Sequence, residues 1–300
     1  MKKIILNTVF LAILACLLWS SAFVSIKIGL RFSPPLQFAG IRFFLSGLYI
    51  LPFCGKLKKS VQTIWKHKKD ILIIGFFQIF LLYALFYTGI SRVPASITAM
   101  VVGGSPLFIS ILAHIMIKDD KMNFKKTVTI LLGISGVAII ALSREGGYTW
   151  KEGQEFWGII ILIVANISGG IGNVLAAKKR TGISPLLLNS AQLTIGGTCL
   201  FLIAIPIEGI EFKIYPGTYY LSLAWLSFLS AAAFSIWFVL LQRPGVKVSD
   251  LNIWKFIMPV FGALLAWVIL PEEKPQLISI TGMVIISLSL VLLNLKKKSA

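Results

Sequence analysis

Ten apolar stretches separated by short charged loops occupy this chain almost from end to end, at residues 5–29, 36–54, 71–90, 94–117, 125–143, 157–177, 185–206, 219–242, 250–270 and 276–294. Each is close to the ~20 residues a helix needs to cross about 30 Å of hydrocarbon at about 1.5 Å per residue. Backbone in hydrocarbon must satisfy its own hydrogen bonds, so the expectation is an all-α membrane protein with ten transmembrane helices.

The loops alternate in charge. With the N-terminus placed in the cytoplasm, 20 of the 29 Lys and Arg residues fall in inner loops, seven in outer ones, and two, Arg42 and Lys255, within helices. The inner side carries four carboxylates (Asp70, Asp119, Asp120 and Asp250) and the outer side seven, so the net charge of +18 lies almost wholly on one face. That is the positive-inside pattern, and it predicts an inner-membrane protein with both termini cytoplasmic. The counterpart of this charge is anionic membrane lipid rather than nucleic acid. With 57% hydrophobic residues, 13% charged and a mean hydropathy of +0.89, an ordinary soluble domain is excluded.

Cys16, Cys54 and Cys199 lie far apart in apolar segments and suit neither a disulfide framework nor a metal site. Met1-Lys2-Lys3 and the apolar run behind it have the look of a secretion signal. The run continues past Cys16 to Leu30, longer than the roughly 7 to 15 residues of a cleaved segment, and is therefore expected to persist as the first helix.

The chain also repeats itself. A shift of 153 residues lays Pro106-Leu107-Phe108 on Pro259-Val260-Phe261, Leu112-Ala113 on Leu265-Ala266, and Asp119-Asp120-Lys121 on Glu272-Glu273-Lys274. A shift of 150 lays Pro35-Leu36 on Pro185-Leu186, Arg42 on Gln192 and Gly47 on Gly197. Five helices per copy is an odd number, so the second copy must enter the membrane from the opposite side. Inverted repeats of this kind serve alternating access in secondary transporters.

Leu18-Trp19-Ser20-Ser21-Ala22-Phe23, Ile41-Arg42-Phe43 and the repeated proline, apolar run and acidic pair resemble the EamA branch of the drug/metabolite transporter superfamily over essentially the whole chain. The resemblance implies two inverted repeats, 1–146 with helices one to five and 147–300 with helices six to ten. It further implies cytoplasmic termini and export or exchange of small metabolites such as amino acids. Asp119-Asp120 departs from the Glu-rich pair usual in that family.

All eleven acidic residues fall in loops or at helix ends, leaving no carboxylate at mid-membrane to relay a proton or sodium ion. His114, near the inner end of the fourth helix, is the one candidate relay, with an interfacial packing role as the plainer reading. Transport down the substrate gradient is the expectation. Arg42 and Lys255 are both shallow enough to snorkel. For Arg42 the alternative is to hold a neighbouring helix or a substrate carboxylate. Lys255 shares a helical stripe with Asn252, Pro259, Gly262 and Ala266, a small and polar face that should point at other helices.

Asn166, Gly169, Gly170, Asn173 and Ala177 form a similar face on the sixth helix, and Ser227, Ser230, Phe234 and Trp237 share one on the eighth. Tyr83 and Tyr87 are four residues apart on the third, and Trp19 sits at mid-depth on the first. Each aromatic stripe suits packing as well as binding. Trp150, Trp157 and Trp267 belong to an interfacial belt. Pro106, behind Gly103-Gly104-Ser105, and Pro259 should interrupt helices four and nine near their middles, as hinges or as static kinks.

The nucleotide and hydrolase motifs G-x-x-x-x-G-K-[ST], G-x-S-x-G and H-E-x-x-H are missing. The expected protein is therefore not an enzyme and uses no cofactor, metal or catalytic residue. It is expected to act as a permease, monomer or homodimer, whose partners are a small-molecule substrate and membrane lipid. The substrate-binding candidates are Trp19, Tyr83, Tyr87, Ser105, Asn166, Asn173, Trp237 and Lys255. Sugar-phosphate or nucleotide-sugar exchange is the alternative within that class, and an intramembrane enzyme the rival outside it.

Overall fold

The computed structural model describes residues 2–90, 92, 101–142, 154–178, 182–210, 213–269 and 277–294. Trp150, Lys179, Arg180, Glu272, Glu273, Lys274 and the lysines at 296–298 lie outside the described residues, as do the side chains of Ala266 and Trp267. Every regular element among the described residues is helical. They run α1 (Lys2–Gly29), α2 (Pro35–Ile50), α3 (Leu57–Lys66), α4 (Lys68–Gly75), α5 (Leu82–Ile90), α6 (Ser105–Met116) and α7 (Phe124–Leu142). Then come α8 (Gln154–Lys178), α9 (Pro185–Glu208), α10 (Gly217–Leu241), α11 (Val248–Ile253), α12 (Ile257–Ile269) and α13 (Leu277–Asn294).

Six helices among the described residues are long and apolar enough to cross a membrane: Asn7–Ile26, Pro35–Cys54, Lys68–Gly89, Phe156–Lys178, Pro185–Glu208 and Gly217–Leu241. Val101–Met116 and Ile280–Leu292 are shorter apolar helices. Residues 56–69, read from the sequence as a charged loop, hold α3. Its Leu57, Val61 and Trp65 recur every four residues and stand exposed beside Lys58, Lys59 and Lys66, the pattern of a helix lying in a membrane interface.

The helix ends follow from local chemistry. Pro34 is extended and Pro35 occupies the first turn of α2, where a missing N–H costs nothing. The next N–H groups, of Leu36 and Gln37, donate to the Glu208 carboxylate at 2.8 and 3.0 Å, so the last residue of α9 caps α2. Ser184 caps α9 in the ordinary way, accepting from the Leu187 N–H at 3.2 Å.

Helix α2 packs along α9, and α7 along α13. Small residues bring the backbones together: a Cβ on Gly40 would lie 2.6 Å from the Phe201 nitrogen, and one on Gly136 would lie 2.7 Å from the Gly282 oxygen. Helix α1 packs on α10 and α12, while α8 packs on α5 and α6. The first long helix of each half thus leans on the third and fourth apolar stretches of the other half.

Three interruptions shape the interior. A π-helical turn, Phe76–Leu81, joins α4 to α5, and a 3-10 turn, Trp254–Phe256, joins α11 to α12. The third is at Gly104, just before α6. The sequence reading puts two of these breaks at Pro106 and Pro259. In the structure both prolines sit in the first turn of the helix that follows, where the ring is tolerated, so each break falls on the residues before the proline.

Candidate functional site

The buried stripe of α10 is the spine of the site. Phe234 is 3% exposed and Trp237 fully buried, with Ser230 and Ser227 one and two turns before Phe234. Trp19 of α1 meets both rings, its centroid 5.3 Å from Phe234 and 5.1 Å from Trp237 in edge-on geometry. Phe234 reaches Phe43 of α2 at 6.4 Å, and Phe43 meets Tyr83 of α5 at 4.4 Å. Phe86 links Tyr83, at 6.2 Å, to Tyr87, at 5.5 Å. A continuous row of rings therefore runs from α10 and α1 through α2 to α5.

Hydrogen bonds fix one end of the row. The Trp237 indole N–H donates to Asn173 Oδ1 at 2.8 Å, and the Asn173 amide donates to the Gly169 carbonyl at 2.8 Å and to Gln78 Oε1 at 3.2 Å. Gln78 is presented by the π turn, a local widening found often at functional positions.

Two cations stand on the row, one at its Trp237 end and one at its middle. Lys255 Nζ lies 4.9 Å from the Trp237 ring and 5.7 Å from that of Trp19. Arg42 Cζ lies 4.3 Å from Phe43 and 5.7 Å from Tyr83. Arg42 is 3% exposed, so it does not snorkel to a headgroup; it faces across the bundle because α2 turns that side toward α10 and α5. Stacking on a ring is worth about 0.5 to 2 kcal/mol. Burying a charge costs several kcal/mol, so the rings alone do not offset it. Among the described residues, no salt bridge reaches either cation.

Seven of the twelve unmatched buried polar atoms among the described residues lie on helices that carry or adjoin the row, the others being on Ser110, Thr129, Gln192, Gln242 and Asp250. Trp19 Nε1, Arg42 Nε and Nη1, Tyr87 Oη, Ser227 Oγ, Ser230 Oγ and Asn252 Oδ1 are buried without a hydrogen-bond partner. Folded chains leave few such atoms.

Six of the eight sequence candidates, Trp19, Tyr83, Tyr87, Asn173, Trp237 and Lys255, fall in this connected set. Asn166 does not: its amide donates to the Val101 carbonyl at 2.5 Å, just ahead of the break at Gly104. Ser105 begins α6 after that break. Arg42, Phe43 and Gln78 belong to the same connected set, and the sequence candidates omit them. The pairing of Arg42 with Gln192 across the repeat was the available signal for the first. Nothing local marks Gln78, because a π turn has no sequence signature of its own. His114 is exposed and stands outside the row, its Nδ1 accepting from the Met122 N–H at 3.1 Å.

A second buried polar group lies between the halves. Lys126 Nζ reaches Asp120 Oδ1 at 2.8 Å and Ser249 Oγ at 2.5 Å, and it makes an ion-pair contact with Asp250 at 3.0 Å. Ser249 donates to both oxygens of Asp120, its N–H to Oδ2 at 2.9 Å and its hydroxyl to Oδ1. Burial pushes the Asp120 carboxyl upward, but the hydrogen bonds from Lys126 and Ser249 and the Lys126 charge outweigh it and hold the group below its ordinary value.

This chain belongs to the EamA-like transporter family, whose profile matches residues 6–142 and again 156–295. It is 26% identical to the uncharacterized transporter YoaV of Bacillus subtilis (strain 168) over 86% of each chain. It is also 26% identical to a probable amino-acid metabolite efflux pump of Escherichia coli (strain K12), over 88% of this chain and 87% of that one. A solved crystal structure at 15% identity superposes with a TM-score of 0.77 over 96% of both chains, which places the fold.

Proposed function

We propose that this protein is a secondary transporter with ten membrane-crossing helices in two inverted five-helix repeats, 1–146 and 147–300. It resides in the cell (inner) membrane with both termini cytoplasmic and exports or exchanges small amphipathic metabolites, amino acids or related compounds. Three things support the repeats: the two separate profile matches, the reciprocal packing of α1 on α10 and α12 against that of α8 on α5 and α6, and the division of loop charge. The observation that carries the substrate class is the aromatic row with polar atoms left open along it. Trp19, Tyr83, Tyr87, Trp237 and Asn173 enclose the apolar body of the substrate, and Lys255 meets its negative group. Asn166 and Ser105 act at the break in α6, where a hinge opens the path.

The test is counterflow in proteoliposomes. Vesicles preloaded with a mixture of unlabelled amino acids should accumulate labelled ones without a proton or sodium gradient. Trp237→Ala should abolish that exchange in protein that remains inserted. Transport strictly dependent on an imposed pH gradient contradicts the uncoupled mechanism; a wild type that exchanges none of the amino acids contradicts the substrate class.

A further inference from the structure

We propose that Arg42 is a second anchor for the carboxylate of the transported molecule, standing further along the aromatic row from Lys255. The proposal rests on the transporter reading and adds to it a residue and a chemical requirement: the substrate is a small carboxylate, anionic or zwitterionic, with an apolar or aromatic body.

Four observations carry it. The guanidinium is buried at 3% exposure near the middle of α2, yet its Nε and Nη1 have no hydrogen-bond partner. Its plane is held by Phe43 and Tyr83, at 4.3 and 5.7 Å. Stacked rings cover a face of the guanidinium and leave the N–H edge, and that edge is the fork that fits a carboxylate with two parallel hydrogen bonds. The Tyr87 hydroxyl, also unmatched, is within the electrostatic reach of the same charge and offers a further donor.

Among the described residues, no salt bridge joins a carboxylate to Arg42. Asp120 and Asp250 are held by Lys126, and Glu208 caps the start of α2. The pseudo-equivalent position in the second half is Gln192, a neutral amide whose Nε2 donates to Asn189 Oδ1 at 3.0 Å. The first half therefore puts a permanent charge where the second half puts a neutral amide, bonded through its nitrogen and unmatched at its oxygen.

Between Arg42 and Lys255 the rings of Phe43, Phe234, Trp19 and Trp237 are contiguous. A molecule with an apolar body can stay stacked on this row while its carboxylate moves from one cation to the other. Neither end then needs to release the anion into hydrocarbon, where it would be unpaired.

The experiment measures thermal stabilisation of the purified protein in detergent by 3-phenylpropionate and by its uncharged amide. The wild type is expected to bind the carboxylate at least about tenfold more tightly than the amide, and Arg42→Gln to bring the two within about twofold, since the fork is the source of the preference. Should Arg42→Gln fail to fold, Arg42→Lys carries the same test. It keeps the charge but loses the fork, and is expected to weaken the carboxylate several-fold while leaving the amide unchanged. A wild type with no preference for the carboxylate overturns the proposal, as does a preference that survives both substitutions. Counterflow on the same preparations separates the two readings: amino-acid exchange without carboxylate preference removes the Arg42 anchor and leaves the transporter standing.

Discussion

At the junction of α6, α7 and α11, the buried side chains of Asp120, Lys126 and Ser249 meet one another within hydrogen-bond distance. Along the aromatic row, the indole N–H of Trp19, two nitrogens of Arg42 and the hydroxyls of Tyr87, Ser227 and Ser230 meet no one. Both regions are buried and both carry charge, so burial alone does not separate structure from function. What separates them is satisfaction. The hydrogen bonds among Asp120, Lys126 and Ser249 tie two segments of the chain together, while the atoms along the row keep their bonding capacity.

The comparison breaks most visibly at Lys126. Lys126→Met leaves Asp120 buried without its cation, and removing one partner of such a pair costs about 3 to 5 kcal/mol. Unfolding in mixed micelles should show that loss, while whatever protein still inserts keeps the substrate selectivity of the wild type. A change in selectivity would place the Asp120 cluster on the transport path after all.

Trp237→Phe is the next largest. It keeps a ring in the row but strands Asn173 Oδ1, at a cost of about 1 to 3 kcal/mol. Exchange rates should fall with it, because Asn173 also holds Gln78 and loses its orientation. Wild-type exchange by this variant would show that the indole N–H is incidental.

Lys255→Met sharpens the comparison from the other side. A cation without a carboxylate partner contributes no net stability, so its removal should leave the melting temperature unchanged or raise it. Exchange of anionic and zwitterionic substrates should drop about tenfold, equivalent to about 1.4 kcal/mol, with cationic ones spared. Parallel losses for all three charge classes would mean that the side chain only packs.

The smallest effect is in pH. The Asp120 carboxyl titrates below its ordinary value of 3.8 in the folded protein, so its contribution to stability is complete above that value and is lost as the pH falls through the lower, folded one. The melting temperature of wild type should therefore decline in the acid range more steeply than that of Asp120→Asn, whose baseline is already lower. Parallel declines would indicate that other carboxylates dominate acid unfolding.

Much of this was legible in the chain. The all-helical membrane character and the buried faces carrying Asn166, Asn173, Ser227, Ser230, Phe234 and Trp237 follow from hydropathy and a period near 3.6, and all six of those residues are buried. The sequence reading leaves out α3 because ten residues in a stretch with six lysines read as a charged loop. Arg42 was weighted toward the lipid because its distance from a helix end fits a snorkelling side chain as well as a buried one. Depth along a helix is a sequence quantity; the direction a side chain faces depends on the neighbouring helices.

Sequence by itself determined that this backbone must be helical, since hydrocarbon leaves its N–H and C=O groups no other partners. It also determined which faces are small or polar enough to turn inward, and that no acid is available at mid-depth. Only the tertiary structure decided that Trp19, Phe43, Tyr83, Phe234 and Trp237, from four different helices, form one row, that two cations lie against it, and that Asp120 is tied to Ser249 across 129 residues. The reason is that satisfaction is a property of pairs. A residue's chemistry is written at its own position, but whether its hydrogen bonds are met depends on which distant helix is packed against it.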